Sequence, residues 1–255
     1  MKTTASKLFS AFITLIVTCS TLAQEKTTQS FWVHEDQVKP AMLMEYEQAA
    51  KQLVDNCKKF DIKTLGWITS QTDDFRYLYV SPINSMADIS YEGFKPLREK
   101  MGADAFDKMF ADMDKCYTSH GDYVLVLDHD LSYMPGGITQ TPEGQNYRRF
   151  FFLYTTPGDV GPLTEAIKNV KKMYEEKGSK SHYRIYRSGF GNMGNYFMVA
   201  VASKDAIAYE TQGEANDKLL GPKAKEVFGS VMKYVTKMEE VSGKMRPDLA
   251  YTPME

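Results

Sequence analysis

The segment SGFGNMGNYF, residues 188–197, places Gly189, Gly191 and Gly194 in the G-x-G-x-x-G spacing that cradles nucleotide phosphates. That chemistry needs a strand before the glycines and a helix after them, because the phosphate rests on free N–H groups at a helix N-terminus. Here a second strand-like run, NYFMVAVAS, follows instead. A glycine-rich loop between two strands also covers ATP in protein kinases, and Lys204 stands where a phosphate lysine would, but neither H-R-D nor D-F-G occurs in the chain. The segment is therefore expected to be a hairpin loop whose Gly and Asn residues supply positive φ angles.

Other reactive side chains form no motif. His34, His120, His129 and His182 make no H-x-x-x-H or comparable pair, and in DHD, residues 128–130, strand alternation turns His129 away from both aspartates. No metal site is expected. There is no G-x-S-x-G serine elbow. Methionines such as Met42, Met44, Met101, Met109 and Met113 fall in helical stretches, where methionine fills core gaps.

The N-terminus reads as an export signal: Lys2 and Lys7, the apolar run LFSAFITLIVT, then small residues up to Ala23. Residues 1–23 are expected to be removed by cleavage near Ala23, giving a secreted or periplasmic protein. Lipid anchoring at Cys19 is the alternative. No segment has the roughly 20 apolar residues that a membrane span requires. Without the signal the chain has 29 basic and 33 acidic side chains, a net charge of −4, which argues against nucleic acid as a partner. Cys57 and Cys116 remain and are expected to be free, buried thiols without a basic partner to activate them.

The elements that must position any site come in two similar sets. Residues 30–134 run from the strand SFWVHED through the helical PAMLMEYEQAAKQLVDNCKKF, the strands TLGWITS and FRYLYVSP and a helical region from Met86 to Tyr117, to the strand DYVLVLDHD. Residues 147–255 repeat that order with RRFFFLYTT, GPLTEAIKNVKKMYEEKG, HYRIYRSG, NYFMVAVAS, a helical region from Ala206 to Val241 and a terminal strand near PDLAYTP. Residues 135–146, PGGITQTPEGQN, form a linker. The helices follow from apolar spacing, the strands from short β-branched and aromatic runs. β-α-β-β-α-β is the order of the ferredoxin-like fold. Because both faces of RRFFFLYTT are apolar, helices must cover one face and the other sheet the second. The fold expected is α+β: two ferredoxin-like repeats whose antiparallel sheets face each other as a pseudo-dimeric α/β barrel.

With that element order and FFLYTTPGDV, the chain resembles the dimeric α/β-barrel superfamily. Antibiotic-biosynthesis-type monooxygenases, NIPSNAP-like proteins and chlorite-dismutase-like haem proteins share this architecture. The resemblance implies an oxidoreductase, either cofactor-free or holding haem, with Arg184 stabilising negative charge and His182 as base or axial ligand. The residues themselves point to a binding or interaction protein without a catalytic motif and without a required cofactor. If the aliphatic sets Leu78/Val80 and Val199/Val201 face the helices, the barrel interior receives Trp32, His34, Trp67, Tyr77 and Tyr79, together with Phe150, Phe152, Tyr154, His182, Arg184, Tyr186, Tyr196 and Met198. Such a lining makes either a pocket for an apolar or aromatic small molecule or a solid aromatic core.

Overall fold

The computed structural model describes residues 27–253. The export signal, its cleavage near Ala23 and Cys19 lie outside the described residues. Within them, β1 (Thr28–Val38), α1 (Leu43–Phe60), β2 (Ile68–Thr72), β3 (Arg76–Ile83), α2 (Lys95–Met101), α3 (Ala103–Asp114) and β4 (Tyr117–Tyr133) come first. They are followed by β5 (Tyr147–Thr155), α4 (Val160–Lys177), β6 (Tyr183–Ser188), β7 (Asn195–Ser203), α5 (Ala206–Leu220), α6 (Lys223–Met232) and β8 (Lys237–Met245).

The eight described strands form one closed antiparallel barrel in the order β1-β3-β2-β8-β5-β7-β6-β4, with the helices outside it. Closure gives every described strand a paired neighbour on both sides. Alternation decides what fills it. On β5, Phe150 and Phe152 point inward, where they meet Phe31, Leu78, Leu125, Tyr186, Tyr196 and Met198 in a single core. Phe151 and Leu153 point outward to α4 and α6. The helices bury the stripes their spacing dictates. α1 covers Tyr46, Ala50, Leu53, Val54 and Cys57, and α4 covers Leu163, Ala166, Ile167, Val170 and Met173. None of the described helices is long and apolar enough to cross a membrane.

Three boundaries differ from the sequence expectation. The region from Met86 to Tyr117 is two helices broken at Gly102, whose φ of 86° a side chain rarely adopts, and β4 already begins at Tyr117. The last strand is KMEEVSGKM, of which the sequence places the part up to Val241 in a helix; it is a strand because β5 pairs with it from Lys237 to Lys244 and β2 from Gly243 to Met245. PDLAYTP is instead a 3-10 turn, Pro247–Leu249, followed by a bridge between Tyr251 and Trp67. Cys57 and Cys116 are free and buried.

The glycine segment is the β6–β7 hairpin loop. It lies flat on β4: Val124 N–H donates to Phe190 O at 2.7 Å and Gly189 N–H to Val124 O at 2.9 Å. A Cβ on Gly191, at φ 84°, would come within 2.6 Å of Asp122 O. The loop is tight because it packs on a strand, and the Gly189 amide is already used. Residues 135–146 join β4 to β5 and tether one end of the barrel: Arg184 donates to Thr139 O at 2.6 Å and Arg148 to Gln140 O at 2.8 Å.

Candidate functional site

Strand alternation on β1 sends Phe31 and Val33 into the barrel and Trp32, His34 and Asp36 to the helix side. On β3 it likewise sends Leu78 and Val80 inward, and Tyr77 and Tyr79 outward. The inside-outside assignment expected from sequence therefore holds for β5, β6 and β7 and is reversed in the first three strands. The reason lies in polar tips. On the helix side Tyr77 OH reaches Glu47 on α1, and Trp67 Nε1 donates to Leu249 O at 2.8 Å, so both tips are satisfied there.

The barrel interior is closed by its own side chains, with a void of only about 60 Å³ beside Phe152, Arg184 and Tyr186. Phe150, Phe152, Tyr186, Tyr196 and Met198 are core, Tyr154 packs against it, and Arg184 is held by the linker carbonyl. His182 sits exposed just before β6, edge-on to Tyr133, so it does not enter the barrel. A void of about 60 Å³ is far smaller than a haem.

A cavity of about 820 Å³ opens elsewhere, between β1, β3 and the helices α1 and α3. Its far wall is an aromatic cluster in which Phe94, Phe106 and Phe110 stand with ring centroids 4.7–6.4 Å apart. Trp32, Trp67, Tyr79 and Leu53 supply the near wall. The chain's two tryptophans both line it.

At one end the walls turn polar. β1 and β4 pair antiparallel with Asp36 opposite His120 and His34 opposite Asp122. Each strand thus contributes an H-x-D, and the two motifs form a square on the helix-facing side of the sheet. His34 Nδ1 lies 3.1 Å from Asp122 Oδ1, and Nε2 lies 3.2 Å from Asp36 Oδ1. Asp122 also accepts from Trp32 Nε1 and Tyr91 OH, both at 2.6 Å. Burial opposes charge on His34, but the contacts with Asp122 and Asp36 more than offset it and raise its pKa to about 9. Burial alone would raise the Asp122 carboxyl, whereas hydrogen bonds from His34, Tyr91 and Trp32 bring it down to about 2. The two carboxylates that flank the imidazole favour its protonated form.

Asp36 is 2% exposed. Its Oδ2 accepts from Tyr46 OH at 2.6 Å, while Oδ1 receives no aligned hydrogen bond. Tyr46 has one proton and spends it on Asp36, so in the 2.8 Å contact between the two phenols Tyr79 is the donor. Tyr79 therefore shows only lone pairs to the cavity. Burial, chiefly, and the neighbouring acids keep Tyr46 and Tyr79 protonated. The polar end is a set of acceptors around one positive charge, suited to a ligand that brings a hydrogen-bond donor.

Of the residues singled out in sequence, the structure brings Trp32, His34, Trp67 and Tyr79 together at this cavity. Tyr77 is buried beneath α1 against Tyr46, ring centroids 4.7 Å apart. Asp36, Tyr46, Tyr91, His120 and Asp122 were not picked out. The available signal was the pair of H-x-D triplets in SFWVHED and SHGDY, which only a β1–β4 pairing makes meaningful.

No family model and no curated protein matches the sequence. Solved structures do. An anthrone oxidase-like protein matches with a TM-score of 0.54 at 14% identity, over 87% of this chain and 92% of its own. They share a fold. A candidate monooxygenase from Lactobacillus acidophilus NCFM gives 0.52 at 10% identity, covering 89% of this chain and 97% of that one. Another, from Fusobacterium nucleatum subsp. nucleatum, gives 0.50 at 14% identity over 86% and 93%. These likenesses establish a ferredoxin-like α+β barrel and nothing finer.

Proposed function

We propose that this protein is an oxidoreductase of monooxygenase type that takes a flat hydroxyaromatic molecule into the cavity between β1, β3, α1 and α3. One observation carries the reading: an aromatic-walled space of about 820 Å³ that ends in the acceptors Asp36 Oδ1 and Tyr79 Oη beside the His34 cation. Flat rings lie between Trp32 and the phenylalanine cluster, and a ring hydroxyl donates to the acceptors. The adjacent cation favours the anion left when an activated C–H or O–H loses its proton. Asp36 Oδ1 takes that proton, the carbanion gives its electron pair to dioxygen, the resulting peroxide anion takes the proton back to become a hydroperoxide, and loss of water leaves a carbonyl, so that CH₂ and O₂ become C=O and H₂O. The anthrone oxidase-like and monooxygenase neighbours are in keeping with this chemistry.

A second reading, binding without turnover, is favoured by His34 itself, since both ring nitrogens face carboxylates and neither is free to act as a base. Anthrone, which has the activated CH₂ as a ketone and a ring hydroxyl as its enol, separates the two. Titrated into the protein, it should quench the tryptophan fluorescence and consume one O₂ per molecule oxidised. Quenching without oxygen uptake leaves the binding reading, and no quenching removes both.

We further infer that the barrel consists of two ferredoxin-like repeats, supported by the matching neighbour orders β4-β1-β3-β2 and β8-β5-β7-β6. We also infer that the chain is exported, which the mass of the mature protein would test.

A further inference from the structure

We propose that His34, Asp36 and His120 form a binding site for a divalent first-row transition metal ion at the polar end of the cavity. One ligand atom from each lies within 4.8 Å of the other two. A metal bound at about 2.0–2.2 Å by imidazole nitrogen and carboxylate oxygen holds its ligand atoms roughly 3–4 Å apart. The 3.2 Å between His34 Nε2 and Asp36 Oδ1 already meets that requirement.

The surroundings are those that a metal site needs. His34 gives its Nδ1 to Asp122, which fixes the ring, and a metal that displaces the Nε2 proton and takes over the positive charge makes Nε2 the ligating atom, the carboxylate-histidine arrangement that orients metal-binding imidazoles. Tyr46 holds Oδ2 of Asp36 and so orients the carboxylate with Oδ1 toward His34 Nε2. That Oδ1 is buried, and its neighbour His34 Nε2 at 3.2 Å is not aligned for a hydrogen bond, an arrangement that a metal ion between the two atoms would satisfy. His120 reaches in from β4, directly opposite Asp36, with its ring stacked on Tyr117 at 5.1 Å. All three side chains line the cavity, so the coordination positions they leave open face its interior. Two imidazoles and one carboxylate with open positions suit Zn²⁺ or Fe²⁺ better than Mg²⁺ or Ca²⁺, which prefer oxygen donors throughout.

This inference goes beyond the oxidoreductase reading and does not depend on turnover. The test is zinc uptake by the full chain, untagged and stripped with a chelator, measured by equilibrium dialysis and calorimetry. One zinc per chain is expected. His120→Ala and Asp36→Asn should each abolish stoichiometric uptake, and Asp122→Asn should weaken it by about 10–100-fold. Glu92→Gln and Asp114→Asn, acids of the same cavity wall, should leave it unchanged. His120 is exposed, so its variant keeps the fold even if Asp36→Asn does not, and circular dichroism checks both. No uptake by the parent protein overturns the site, as does uptake that survives His120→Ala in the folded variant. Equal loss in Glu92→Gln or Asp114→Asn overturns it too. Because the readout is zinc, failure here leaves the anthrone result untouched.

Discussion

Tyr186 and Trp32 are both aromatic residues on barrel strands, and they should respond oppositely to truncation. Tyr186 is 5% exposed within the barrel core. Tyr186→Ala should cost about 3–5 kcal/mol in urea denaturation and leave the response to anthrone intact. Trp32 is only half-buried and faces the cavity, so Trp32→Ala should cost less stability but weaken ligand binding, because it removes a wall and the Nε1 bond to Asp122. Buried thiols provide a second check. Burial raises the Cys57 thiol to about 12 and pushes Cys116 up as well. A maleimide at pH 8 should therefore label neither until the protein unfolds. Fast labelling of Cys57 in the folded protein would show that the α1 packing is open. At this scale the sequence revealed Trp32, His34, Trp67 and Tyr79 as residues with something to do. It hid Asp36 and His120, because an H-x-D is meaningless until the register of a second strand places another opposite it.

Elements are joined by contacts that a local pattern does not contain. Arg246, just after β8, forms ion pairs with Glu47 on α1 and with Asp248, closing the C-terminal segment over the first helix. The Arg246 guanidinium holds the Glu47 carboxyl below its ordinary value, and it does the same to Asp248. A depressed carboxyl stabilises the fold above its unfolded pKa and loses that contribution as pH falls through the folded one. Stability should thus decline on acidification from about pH 5, with a shallower slope in Glu47→Gln, as followed by urea midpoints from pH 6 to pH 3. An unchanged slope would mean that other carboxylates dominate. Helices α1 and α4 were legible because their apolar stripes match what they bury. Strand β8 was not legible, since KMEEVSGKM has no strand pattern of its own and takes its conformation from β5 and β2. The inside and outside of β1 and β3 were ambiguous for a related reason. Both faces are apolar or aromatic, and the choice is made by the partners that the helix side offers to tyrosine and tryptophan tips.

Closure of the whole barrel depends on two seams between its N- and C-terminal sets of strands. The β4–β6 seam is long and reinforced by the glycine hairpin. The β2–β8 seam pairs only Ser70 with Met245, Gln71 with Lys244 and Thr72 with Gly243. At Gly243 the strands approach so closely that an added Cβ would lie 2.3 Å from Gln71 O and 3.0 Å from Thr72 Cα. Both are backbone atoms, which cannot turn aside as a flexible side chain can. Gly243→Ala should therefore push β8 from β2 and destabilise the fold by at least the 1–3 kcal/mol or so of an overpacked core. Hydrogen exchange should speed up first at the seam amides. Gly213, within α5 and with nothing within 4 Å of an added Cβ, is the control. Gly213→Ala should stabilise by about 0.5–1 kcal/mol, because alanine loses less backbone freedom in a helix. Since β2 leads directly into β3 and the cavity wall, opening this seam should also loosen anthrone binding, although Gly243 touches no part of the site. If Gly243→Ala kept both parent stability and parent exchange at Ser70–Thr72, the barrel would not be closed along this edge.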